Sequence, residues 1–180
     1  DGVHSRIRNG VFGADRPRFT GLIAWRGVVP MAKLPEHLHR LVGTNWVGPG
    51  RHVVHYPLRR GELMNVVGIV ERGDWKVESW STQGDPGELL RDFAGWHEDV
   101  QTLMRAIGTP FKWALAVRDP LMTWSEGRVS LLGDACHPTL PMLAQGAVQA
   151  IEDGVVLARA LHAYAEIPAA LRAYESVRAE

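Results

Sequence analysis

The sequence predicts a mixed α/β protein: an antiparallel sheet with short helices, flanked by two pieces of an open α/β layer. Short polar links separate apolar runs through the middle of the chain, which is hairpin patterning. Helical periodicity takes over after Gly84-Asp85-Pro86. Near the end, an apolar run (129–132) meets a sharp Gly133-Asp134 turn and then a long helix.

Residues 1–16 read as a helical turn and a charged link ending at Arg16-Pro17. Phe19–Val29 is β-like, and Pro30 stops it. Residues 34–41 predict a short helix with Pro35 in its first turn. Three strands follow, His52–Tyr56, Leu63–Glu71 and Trp75–Trp80, joined by Arg59-Arg60-Gly61-Glu62 and Arg72-Gly73-Asp74. Links this short fit antiparallel hairpins rather than crossovers. Leu63–Val70 is nearly all apolar, the mark of a central strand buried on both faces.

Leu89, Leu90, Phe93 and Trp96 predict one short helix, and Val100, Leu103, Met104 and Ile107 a second, ending at Gly108. Phe111–Val117 and Arg128–Leu132 return to strand. The long helix should run from about Met142 to His162, with Leu143, Ala147, Ile151, Val155 and Ala158 on its inner face. Gly154 costs roughly 1 kcal/mol inside a helix, so close packing is expected there. Pro168 opens a last helix, Ala169–Arg178.

At 180 residues, 46% hydrophobic and 22% charged, the chain can bury a core as one or two domains of a globular protein. A formal net charge of zero gives no electrostatic case for nucleic acid or an anionic membrane. No apolar run approaches the ~18 residues of a membrane span, and the first residues are too polar for a signal peptide. The single cysteine, Cys136, excludes an internal disulfide and fits a cytoplasmic location. No metal site is expected: His52 and His55 fall on opposite faces of a strand, and Cys136-His137 cannot build a site alone.

The Gly-Asp turn sets one carboxylate at a strand's C-terminal end, beside a helix N-terminus. Open α/β layers often bind nucleotides there. The carboxylate can accept hydrogen bonds from sugar or ribityl hydroxyls; the plainer reading is a structural helix-entry loop. The stretch Gly-Asp-Ala-Cys-His-Pro-Thr-Leu-Pro-Met-Leu-Ala-Gln-Gly-Ala-Val-Gln-Ala-Ile-Glu-Asp-Gly (133–154) resembles the second flavin-binding motif of single-component FAD-dependent aromatic hydroxylases, the group that includes salicylate hydroxylase. Asp1-Gly2-Val3-His4-Ser5-Arg6-Ile7-Arg8 is similar to that family's Asp-Gly-x-x-Ser-x-x-Arg motif; alone, it is only a polar helix start.

This resemblance, which covers essentially the whole chain, implies a partial p-hydroxybenzoate hydroxylase-like fold. Residues 1–16 would be an FAD-domain segment, 17–120 the substrate domain and 121–180 the return of the Rossmann-like FAD domain. Family members open with Gly-x-Gly-x-x-Gly, and the only Gly-x-Gly here, Gly48-Pro49-Gly50, lacks the third glycine and precedes a strand. The expectation is therefore a fragment without the N-terminal glycine loop, inactive by itself.

By the same resemblance, Asp134 with Gly133 bonds the ribityl chain of FAD. Pro141 lies at the flavin ring near the reacting centre. Gln145 lies along the flavin ring, and backbone N–H groups near Gly146, Ala147 and Val148 face its pyrimidine end; the family often has Asn in place of Val148. Asp1, Gly2 and Arg6 bear on the pyrophosphate and on nicotinamide access. Trp25 and Tyr56 would wall the substrate pocket, and Arg26 and His55 would supply polar contacts. His55 is the candidate to help deprotonate a phenol, though a strand histidine can equally be an ordinary sheet residue.

The implied reaction is hydroxylation of a small phenolic or aromatic acid, salicylate-like, using NAD(P)H and O₂. The alternatives are the same fold on a 3-hydroxybenzoate, 6-hydroxynicotinate or urate type of ring, or a non-catalytic fragment. Gly21 and Pro141 replace a His and a Gln found in some 3-hydroxybenzoate enzymes, which argues against that substrate. A homodimer is compatible with the sequence.

Overall fold

The first strand, β1 (Arg18–Pro30), is rich in β-branched and aromatic residues, which favour the extended backbone. The computed structural model describes residues 2–13, 15–74 and 82–179. Asp1 and the strand expected at Trp75–Trp80 lie outside them. The chain divides into two units: Phe19–Leu115, and Asp1–Arg18 together with Ala116–Glu180. No helix among the described residues is long and apolar enough to cross a membrane.

In the first unit, β2 (Thr44–Gly48), β3 (Arg51–Leu58), β4 (Leu63–Glu71) and β5 (Phe111–Val117) join β1 in one sheet, ordered β2-β3-β4-β1-β5. Strand β4 lies between β3 and β1, antiparallel to both, as its apolar run predicted. The Gly-Pro-Gly stretch is the β2–β3 hairpin turn, with Gly50 at φ +64°. β2 itself was not foreseen. The helix expected over 34–41 is reduced to a 3₁₀ turn, Glu36–Leu38. His39 Nε2 lies 2.8 Å from the Leu34 carbonyl oxygen, folding the segment back on itself instead of extending it.

Helices α2 (Pro86–Asp92) and α3 (Glu98–Ala106) cover one face of the sheet. Their Leu89, Phe93, Val100, Leu103 and Met104 pack on Ile23, Trp25, Val53, Met64 and Val66. Each such side chain contributes roughly 1.5–3 kcal/mol by burial. Two glycines set the spacing. A Cβ on Gly27 would lie 2.4 Å from Ile107, and one on Gly68 2.6 Å from Phe93. At one edge of this core Trp25 Nε1 donates to Asp92 at 2.7 Å, and Asp92 accepts from Arg72 at 2.9 Å.

In the second unit, α1 (Arg6–Val11) starts at Ser5, whose hydroxyl accepts from Arg8 N at 3.0 Å. A short hairpin, β6 (Ser125–Glu126) and β7 (Val129–Ser130), precedes the Gly-Asp turn, so the strand expected over 128–132 is only two residues long. Two helices follow, α4 (Gly146–Ala163) and α5 (Ile167–Arg178). A smaller core joins Trp124, Leu131, Cys136, Ala160, Ala170 and Tyr174.

The predicted face of α4 is wrong. Leu143 lies before the helix and is 77% exposed, and Ile151 within it is 69% exposed; Ala147, Val155 and Ala158 are exposed as well. The inward side carries Asp153 and Ala160, flanked by the half-buried Gln149, Ala150, Val156 and Leu157. Apolar residues surround this helix, and a buried ion-paired aspartate selects the side that packs. Gly154 is exposed with open space around it, so it reflects no close contact.

Candidate functional site

Gly133 adopts φ +58°, a conformation that favours glycine, and opens one 3₁₀ turn, Gly133–Ala135. Asp153 holds this turn from below. Its Oδ2 accepts from Gly133 N at 2.7 Å and from His137 Nε2 at 2.6 Å, while Oδ1 accepts from Arg178 Nε at 2.7 Å. Burial alone would raise the Asp153 pKa, but these bonds hold its carboxyl below the usual value. Arg8 is buried beside the turn and donates to the carbonyl oxygens of Ala135 (3.3 Å) and Cys136 (3.1 Å). It also donates to the Asp119 carbonyl oxygen at 2.9 Å and pairs with Asp15 at 2.8 Å.

Asp134 is thus fixed by its backbone while its exposed carboxylate has no hydrogen bond or ion pair among the described residues. It lines a cleft of about 480 Å³ with Gly2, Thr139, Pro141, Ala144, Gly146, Ala147 and Ala150. Ala144 takes a left-handed φ of 53°, ending the 3₁₀ turn Pro141–Leu143 and redirecting the chain into α4. Gln145 gives α4 no side-chain cap, leaving free first-turn amides at Gly146, Ala147 and Val148. A Cβ on Gly146 would come within 2.9 Å of Thr139 Oγ1 and 3.9 Å of Asp134 Oδ1, so backbone, turn and carboxylate meet closely here.

The cleft brings together Gly2, Asp134, Pro141, Gly146 and Ala147 of the expected cofactor residues. Gln145 and Val148 sit at the helix start without lining it, Gly133 supports it from beneath, and Asp1 is outside the described residues. Arg6 is exposed and off the cleft. The buried arginine is Arg8, the residue that the motif's own spacing selects. Thr139, Ala144, Ala150 and Asp153 were missed; an aspartate inside a mostly apolar helix was the available signal for the last.

Cys136, His137 and Asp153 offer ligand atoms all within 4.8 Å of one another. The Asp153 oxygens are already engaged, and burial beside Asp153 pushes the Cys136 thiol up to about 12. The cluster is thus a hydrogen-bonded support for the turn.

The four expected substrate residues do not converge. Trp25 and His55 point to the helix-covered face, where both are buried; Arg26 and Tyr56 lie on the opposite, exposed face. Adjacent residues of a strand must diverge in this way. Register places Arg26 opposite Val67, and Tyr56 opposite Asn65. His52, also missed as a candidate, shares their face. Arg26 Nε donates to Asn65 Oδ1 at 3.4 Å, and burial lowers the pKa of His52.

A cleft floored by backbone and small residues admits a flat ring. Its free carboxylate suits hydroxyl donors and its free amides suit an electron-rich edge, so the residues present fit a flavin. In sequence, the antiparallel sheet segment interrupts the two segments that build this flavin-compatible cleft. The chain belongs to the FAD binding domain family, whose model matches residues 1–180.

A 3-amino-4-hydroxybenzoate 2-monooxygenase of Streptomyces platensis is 44% identical over 99% of this chain and 45% of its own length. A 6-hydroxynicotinate 3-monooxygenase of Bordetella bronchiseptica is 41% identical over 100% and 48%. A solved salicylate hydroxylase substrate complex superposes with a TM-score of 0.84 at 35% identity, over 99% of this chain and 49% of that one. The chain spans about half the length of these relatives.

Proposed function

We propose that this chain is part of an FAD-dependent monooxygenase that hydroxylates a small aromatic acid, with NAD(P)H as reductant and O₂ as co-substrate. The free Asp134 carboxylate beside the uncapped start of α4 carries this reading. FAD, held there, would supply the redox chemistry by which NAD(P)H and O₂ give the hydroxylated ring, NAD(P)⁺ and water. In this reading residues 1–16 and 121–180 hold the cofactor and 17–120 the substrate. Asp134 accepts from ribityl hydroxyls, the amides of Gly146, Ala147 and Val148 stabilise negative charge on the flavin, and Pro141 bounds the reacting side.

Arg26 anchors the substrate carboxylate, Tyr56 meets the ring, and His52, kept neutral by its surroundings, replaces His55 as the acceptor for a phenolic proton. The relatives named for hydroxynicotinate and aminohydroxybenzoate favour a carboxylated ring of those types over a salicylate-like one. In the full-length protein, a panel of hydroxybenzoates and 6-hydroxynicotinate should include one compound that stimulates NAD(P)H oxidation and is recovered hydroxylated. Asp134→Ala should weaken FAD binding at least tenfold, on the order of one charge-assisted hydrogen bond. Undiminished FAD affinity in that variant would falsify the assignment.

A further inference from the structure

His55 is 4% exposed, yet neither of its ring nitrogens has a hydrogen-bond partner among the described residues. Trp46 Nε1 is also buried and unpaired. The two rings stack, with centroids 6.4 Å apart and planes inclined by 23°. Both line a cavity of about 250 Å³ in the sheet unit, on the face away from Arg26 and Tyr56. Orphaned polar atoms are rare in protein interiors, and three of them, on two side chains beside one cavity, point to a missing partner.

The lining also identifies the partner's charge. Arg40 borders the cavity and its guanidinium has no partner among the described residues. Thr44 adds a hydroxyl. The one carboxylate of the lining, Asp99, is held at one oxygen: Oδ1 lies 2.6 Å from His37 Nε2, while His97 Nδ1 accepts from the Asp99 backbone N–H at 3.2 Å. His97 also stacks on Trp46, with ring centroids 5.0 Å apart. Free donors therefore outnumber free acceptors, and the buried wall is aromatic.

We propose that this cavity is a second small-molecule site, which takes a planar, one-ring carboxylate with its charge on Arg40 and its ring against Trp46 and His55. Neutral His55 can donate from one nitrogen and accept at the other, so it suits a ligand bearing a polar substituent as well as a bare ring. The site is separate from the flavin cleft and from the face carrying Arg26, and it stands or falls independently of the proposed reaction.

Benzoate, which lacks a hydroxyl, is the probe. Titrated into the chain labelled with ¹⁵N at histidine and tryptophan, it should shift the His55 ring and Trp46 indole signals saturably. Arg40→Gln, a surface change, should weaken binding about tenfold, as expected for one charge-assisted hydrogen bond. Val42→Trp, at an exposed lining residue, should fill the cavity and abolish the shifts, whereas Arg26→Gln should leave them unchanged. The proposal is overturned by the absence of any saturable shift, which means that water alone fills the cavity. Shifts that survive Val42→Trp, or that vanish in Arg26→Gln, overturn it as well.

Discussion

Asp153 and Cys136 show how far a side chain's chemistry depends on what surrounds it. Three donors converge on Asp153, and its removal would leave Gly133 N and His137 Nε2 without their acceptor and strip Arg178 Nε of its buried ion pair. Asp153→Ala should therefore cost about 3 kcal/mol or more, read as a lowered urea midpoint with an unchanged slope. Cys136 is 1% exposed with its thiol raised to about 12, so it should be inert to a thiol reagent at pH 8 until the protein is denatured. Rapid labelling of the native chain would refute that. The motif around Asp134 was legible because its residues are contiguous. The supports of the turn, Arg8 and Asp153, come from distant parts of the chain, and only folding brings them to one place.

Among the elements, the sheet was the more readable part. Hairpin links and the apolar run of β4 follow from local chemistry, and the structure keeps both. What went astray was facing. Trp25-Arg26 and His55-Tyr56 were each grouped on one pocket, although neighbouring strand residues cannot share a face. On α4 the spacing rule met apolar residues on every side and chose the exposed stripe. Close approach of helices to the sheet also has a measurable cost when blocked. Gly68→Ala would press a methyl group against the Phe93 ring, with Met104 3.2 Å away. It should destabilise the protein by about 1–3 kcal/mol, seen as a lower thermal midpoint; an unchanged midpoint would show that α2 yields freely.

At the scale of the molecule, the two units should respond to acid at different pH. In the sheet unit, burial lowers the pKa of His52 and His55 below the ordinary 6.5. Their folded forms resist protonation, so stability is complete above that value and declines as pH falls toward the depressed ones. In the other unit Asp15 and Asp153 sit below the ordinary 3.8; burial would raise Asp15, but Arg8 and Arg118 face it and hold it down. The stability they add is complete above 3.8 and is lost as pH falls through their lower values. A thermal midpoint followed from pH 8 to pH 3 should thus decline first with the histidines and again with the carboxylates. A single late step would show that the histidines contribute nothing. The sequence by itself determined the central strands, the Gly-Asp turn and the family resemblance, because these depend on neighbours along the chain. The tertiary structure decided which face each residue serves, since facing is set by what packs across space: it moved His55 away from Arg26 and placed Asp153 beneath Asp134.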